Sequence, residues 1–479
     1  EQQPRRTHSL AIRAHLLPAV VLAMLSTGPL CAQEPGALFP DDVLDSSETH
    51  FPLILQSLAR RQVAEGKVLE AQGAFDVVFS ADATSRVAGF YDGSVVTGMT
   101  SQRLRPMGAN VYAGYRLSDG NFPIYEDEYF TNSGGEVTVG VLFSLLRDRG
   151  IDDERFGILD SELSLQQADQ DILLTKIGVQ RRALIAYWSW VTAGRKLSVY
   201  RNLLRIAEDR EAGLEQQVRR GARAEIFLVE NSQNLTRRET LTTAAERDFR
   251  MAANELSYYF RNSSGEPALP DPERLPPLQS LEALEDPGPL SASAATEALL
   301  RRPELMRLRA TIERVRNRID LAENSLRPRL DFNVEVDHDF GSIAEGGASR
   351  DATDTKLGFT FSVPLQQRDG RGRLYAAESE LLALRQEQRL KEQEIEIEVR
   401  NILIALDGAE ELLRLADQQV LQTAQMRDAE QRRFDSGASD FFLVNIREET
   451  AANARVLFHE ARFDREAALA NYYAATVDL

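Results

Sequence analysis

Four stretches of the chain alternate apolar and polar residues with a period of two, the signature of strands with one apolar face. In the first, Val77, Phe79, Ala81 and Ala83 face one way, and Val78, Ser80, Asp82, Thr84 and Arg86 the other. The second sets Val137, Val139, Val141, Phe143 and Leu145 against Glu136, Thr138, Gly140 and Ser144. The third is the sharpest, with Leu330, Phe332, Val334, Val336 and Phe340 against Asp331, Asn333, Glu335, Asp337 and Asp339. The fourth opposes Leu357, Phe359, Phe361, Val363 and Leu365 to Lys356, Gly358, Thr360 and Ser362. These predict strands at 76–88, 136–146, 329–340 and 355–365. Between them the pattern turns helical. A helix is expected over 51–75. A long one runs from Asp152 to Arg219 without a proline, in a stretch rich in strong helix formers, and a return helix reaches Phe260. A further helix is expected from Ala294 to Leu326. Gly370 and Gly372 are read as a break, followed by a long helix from Leu374 to Phe434 and a return helix to Tyr473.

The same order of elements occurs twice. Gly221-Ala222 recurs as Gly437-Ala438, 216 residues on, and Phe227-Leu228-Val229 as Phe442-Leu443-Val444, 215 on. Val139 to Ser144 is echoed by Leu357 to Ser362 at 218, and Tyr258-Tyr259 by Tyr472-Tyr473 at 214. Anchors kept in order at nearly constant offset indicate duplication of a large unit. The first unit is taken as 51–262, with its helical hairpin at 152–262. The second is 294–479, with its hairpin at 373–475. The connector 263–293 holds seven prolines, which excludes helix interior and predicts an extended strap. The first strand pair is separated by 33 more residues than the second. This insert, 89–135, carries Tyr91, Tyr112, Tyr115, Phe122, Tyr125, Tyr129 and Phe130. It is read as a long outer loop or extra hairpin, in preference to two additional membrane strands.

The formal charge of −18 argues against a nucleic-acid partner, since phosphate binding needs a basic face. Residues 1–32 read as a secretory leader: Arg5, Arg6 and Arg13 precede an apolar run from Leu16 to Leu25, with cleavage expected after Ala32. Residues 33–50 form an N-terminal extension. Cys31 is the only cysteine, and Leu30 before it disfavours a lipidation site. The five histidines lack metal-ligand spacing, and neither a phosphate loop nor a nucleophile elbow occurs, so no catalytic constellation, cofactor or metal is expected. Tyr187, Trp188 and Trp190 read as core packing between helices.

The apolar strand faces need burial or lipid. The flanking helices are too extended to form one compact core, and lipid-facing strands alternate in this way over about 9–11 residues. A sheet in lipid must close, and single-chain barrels need about eight strands. Four are too few, so the barrel is shared, and a trimer supplies twelve. The polar faces then line the lumen. Asp331, Glu335, Asp337 and Asp339 form an acidic stripe on the third strand, expected to favour cations. The alternative is a soluble periplasmic helical scaffold with small hairpins.

With its duplicated helix–strand–strand–long helix–tip–helix order, its Arg327-Pro328-Arg329-Leu330 approach to a strand, its Gly221 and Gly437 tips and its paired tyrosines, the chain resembles the TolC-like outer-membrane efflux family. The resemblance covers about 51–479. It implies an α+β membrane protein, a homotrimer in which a twelve-stranded β-barrel in the outer membrane continues into a long periplasmic α-helical barrel, with the connector as an equatorial belt. It implies a passive exit duct of a tripartite efflux or type I secretion system. Its partners would be outer-membrane lipid, a periplasmic adaptor (membrane fusion) protein and an inner-membrane transporter. The adaptor-docking tips would be Gly221, Ala222 and Arg223 with Gly437, Ala438 and Ser439. Some members place an aspartate six residues after the second tip glycine; here Leu443 stands there, with Phe227 at the matching place in the first unit. Candidates for a periplasmic gate are Phe434, Asp435, Asp440 and Phe441. Drug efflux, metal efflux and protein secretion all remain open.

Overall fold

The computed structural model describes residues 36–277, 294–343 and 352–477. The expected leader and residues 278–293 of the connector lie outside them. Helices α1 (Pro40–His50) and α2 (Pro52–Gln72) lead into strands β1 (Val77–Ser85), β2 (Ser94–Arg103), β3 (Asn110–Asp119) and β4 (Glu136–Ser144). Then come α3 (Asp153–Arg219) and α4 (Ile226–Ser257). The second unit runs α5 (Ala294–Arg301), α6 (Pro303–Ser325), β5 (Arg329–Asp339), β6 (Thr353–Ser362), α7 (Arg368–Asp435) and α8 (Phe441–Thr476). Among the described residues no helix is long and apolar enough to cross a membrane.

All strands join one antiparallel sheet in chain order, β1-β2-β3-β4-β5-β6. This corrects the expected four strands per chain. The insert contributes β2 and β3, and β1 reaches β4 only through them. The turn between β2 and β3 is anchored on the start of α3, where Arg155 Nη1 donates to the carbonyl of Arg105 at 3.3 Å and Arg103 pairs with Glu154.

Helix α3 is 67 residues long, about 100 Å at 1.5 Å per residue. Asp152 caps it by accepting from the Arg155 amide at 2.8 Å, and Asp153 and Glu154 complement the positive end of its dipole. It packs along α4, α6 and α8, while α7 lies along α8 and α6. The main core sits midway along α3. Tyr187, Trp188 and Trp190 are buried there with Leu38, Val43 and Leu256, Trp190 stacks on Phe249 at 6.1 Å, and the Tyr187 hydroxyl donates to the Leu38 carbonyl at 2.9 Å. A second core joins Ala298 and Leu305 to Ile395, Val399 and Ala475. The paired tyrosines pack near these cores: Tyr259 stacks on Phe51, and Tyr473 borders Leu406 and Leu469.

Two expected boundaries shift. The helix read as continuous from Ala294 to Leu326 is broken at Arg302, whose extended backbone precedes Pro303. Proline disfavours helical geometry in the residue before it. Gly370 and Gly372 do not break the chain; they lie in the first turns of α7. A Cβ on Gly370 would meet Leu326 Cδ2 at 2.7 Å, so the missing side chain admits close packing at the foot of the sheet.

Candidate functional site

The register sorts the sheet into two chemically distinct faces. One cross-strand row reads Val77, Gln102, Val111, Val141, Val334 and Leu357, and the next Phe79, Thr100, Ala113, Val139, Val336 and Thr355. Phe332 and Phe359 stack at 4.8 Å on the same face. The opposite face reads Asp82, Thr97, Arg116, Glu136 and Asp339, then Val78, Ser101, Tyr112, Gly140, Glu335 and Lys356. The apolar face is the open one, with Val139 54% and Phe359 68% exposed. The polar face is the crowded one, with Glu136 5%, Asp331 3% and Asp337 7% exposed. A sheet in water has the reverse arrangement.

The acidic stripe lies on the polar face, and every member has a partner. Asp331 takes Arg329 Nε at 2.5 Å and the Ser144 hydroxyl at 3.2 Å. Glu335 accepts from the Tyr112 hydroxyl at 2.6 Å. Lys356 Nζ stands 3.3 Å from Glu335 and 2.8 Å from Asp337. Asp339 accepts from the Asn132 amide at 3.0 Å, and Arg116 grips both oxygens of Glu136 at 3.0 Å. The Tyr112 ring fills the space over Gly140, where a Cβ would meet it at 2.2 Å.

At the far end, both helical hairpins turn in the same way. The amide of Gly221 donates to Val218 and that of Ala222 to Gln217, each at 2.9 Å. Gly437 donates to Phe434 at 2.9 Å and Ala438 to Arg433 at 2.8 Å. Both are Schellman closures, and the glycines hold φ of +69° and +77°, the left-handed region. Asp440 caps α8 by accepting from the Leu443 amide at 2.8 Å, and Ser439 donates to buried Glu430. Asp435 is exposed and accepts from Gln431 at 2.8 Å.

The tips are held together. The Arg223 guanidinium lies over the rings of Phe227 at 5.3 Å and Phe434 at 5.2 Å. Phe441, 1% exposed, contacts Phe227 at 6.4 Å, Phe434 at 6.3 Å and the Arg210 guanidinium at 5.2 Å. Phe434 and Phe441 therefore bind the two hairpins to each other, whereas Asp435 and Asp440 face outward.

A model of the family described as outer membrane efflux protein matches residues 294–477. The match covers the second unit of the chain. A search of curated proteins gave no match. Among solved structures, the outer-membrane channel OprN is similar at 15% identity over 91% of this chain and 89% of that one, with a TM-score of 0.64. The CmeC outer membrane channel of Campylobacter jejuni is 12% identical over 91% and 85%, with a TM-score of 0.62. The MtrE outer membrane channel of Neisseria gonorrhoeae, in its open state, is 14% identical over 91% and 88%, with a TM-score of 0.63. At such identities these likenesses establish a shared fold across both units.

Two features of the chain escaped the sequence reading. Glu448, 5% exposed, lies between Arg210 of α3 and Arg238 of α4, the latter at 2.9 Å. Its signal is a carboxylate on the apolar stripe Phe441, Val444, Ala451 of α8. Further along α8, burial and the charges of Arg195, Arg462 and Arg455 push the His459 imidazole down to about 4.

Proposed function

We propose that the chain assembles as a homotrimer forming the exit duct of a tripartite efflux or type I secretion system. The duct conducts passively. An inner-membrane transporter supplies the energy, and a periplasmic adaptor docks on the tips at Gly221, Ala222, Arg223, Gly437, Ala438 and Ser439. The observation that carries this reading is the inverted sheet, apolar face open and polar face crowded, at one end of helices about 100 Å long. Helix α7 adds support. One stripe, Ile395, Val399, Leu406 and Ala409, is buried, while Leu390, Ile397 and Ile404 recur every seven residues and stay exposed. Such a second heptad seam fits a helix of another copy.

Phe434, Asp435, Asp440 and Phe441 remain the gate candidates, in two roles. Phe434 and Phe441 hold the hairpins together, and Asp435 and Asp440 are the charges placed to meet a neighbouring copy. Detergent-corrected light scattering on protein extracted from the outer membrane tests the assembly, which should show the mass of three chains; a single chain would sink it. Cysteines at Ala222 and Ala438 should cross-link to the adaptor, and a cysteine at exposed Leu382, far from the tips, should not.

A further inference from the structure

We propose that the β2–β3 hairpin is part of the membrane wall, so that three copies close an eighteen-stranded barrel with β1 of one copy paired to β6 of the next. The inference rests on the trimer reading above and goes beyond it in the number and identity of the wall strands. Pairing carries it. Strand β1 is matched to β2 from Val77–Gln102 to Ser85–Ser94, β2 to β3 from Ser94–Asp119 to Arg103–Asn110, and β3 to β4 from Asn110–Leu142 to Arg116–Glu136. No pairing joins β1 to β4 among the described residues. Lifting the hairpin out of the wall would leave β1 and β4 with open backbone edges in hydrocarbon, where no water can satisfy them.

Three further observations agree. The faces stay in phase across the hairpin: Val96 and Leu117 lie on the apolar side, Thr97 and Arg116 on the polar side. The two strands are 10 residues each, as long as β6 and one shorter than β5. Their turn is short and tied to α3, at the periplasmic end, where barrel turns are short. Strand directions alternate along the sheet, so β1 and β6 run oppositely and a second copy continues the antiparallel order. Their free edges are also where apolar side chains are most open, as at Phe79 and Phe361. Barrel diameter grows roughly linearly with strand number, so this mouth is about half again as wide as one of twelve strands.

Nitroxide labels on single cysteines test the wall. The variants are Val96→Cys and Leu117→Cys on the hairpin, Val139→Cys on β4 as the lipid reference, and Thr97→Cys as the lumen reference. The unsubstituted chain is the labelling blank. Each variant is reconstituted as the purified trimer in a bilayer. The labels at 96 and 117 should be relaxed by oxygen and shielded from a nickel chelate, as at 139, with the opposite order at 97. Labels at 96 and 117 that meet the chelate while 139 remains in lipid would overturn the inference and leave the duct intact. A chelate-exposed label at 139, or a protein that is not trimeric, would overturn the duct reading itself and the inference with it.

Discussion

At the scale of single residues, a buried charge cluster lies between the helical hairpins near the tips. Glu448 holds two inward guanidiniums, Arg210 and Arg238. Removing one partner of such a group typically costs about 3–5 kcal/mol, because the charges left behind stay buried. Glu448→Ala should therefore lower the thermal midpoint far more than Glu449→Ala, whose partner Arg237 is exposed. His459 makes a pH-dependent contribution of definite sign. Its folded pKa is about 4 against an ordinary 6.5, so above pH 6.5 it is neutral in both states and contributes nothing. As pH falls from 6.5 to about 4 the unfolded chain takes up the proton first, and stability drops by on the order of 3 kcal/mol. Thermal melts of the native chain and His459→Gln across that window should diverge, the variant losing less. Neither residue stood out in the sequence, since a lone Glu or His on a helix carries no mark of what packs on it from another helix.

At the scale of elements, the tips are the clearest case of sequence dictating geometry. Gly221 and Gly437 close identical Schellman turns at positive φ, with open space where a Cβ would be. Strain in the left-handed backbone alone therefore decides the effect. Gly437→Val should cost about 1–2 kcal/mol, read as faster amide exchange confined to the second tip. The exposed seam of α7 makes a different prediction. Ile397→Glu with Ile404→Glu should leave the chain folded and reduce it from three-chain to single-chain mass in light scattering. The strands were unevenly legible for a physical reason. In β4, β5 and β6 the alternation is nearly unbroken. In β2 the apolar side is interrupted by Gly98, Thr100 and Gln102, while Val95 and Met99 fall on the polar side. An apolar face spread over a whole sheet tolerates weak strands, and a window confined to one strand does not detect them.

At the scale of the whole molecule, the charge of the polar sheet face follows from pairing as much as from the acidic stripe. Arg329, Lys356 and Arg116 each hold an acid on the polar face, so the stripe is partly neutralised, with acids in excess. Changing Asp331, Glu335, Asp337 and Asp339 to their amides leaves Arg329 and Lys356 uncovered, while Arg116 keeps Glu136. The reversal potential in a planar bilayer should then move from cation preference toward anion preference, and an unchanged value would show that selectivity is set elsewhere. The sequence by itself determined the duplication, the four clear strands, the two long hairpins and their glycine tips, because each depends on local periodicity and backbone freedom. Tertiary structure alone decided that the insert enters the sheet, that Arg223, Phe227, Phe434 and Phe441 join the two tips, and that Glu448 sits between two arginines. These depend on which distant segments are brought side by side, and a one-dimensional pattern holds no record of that.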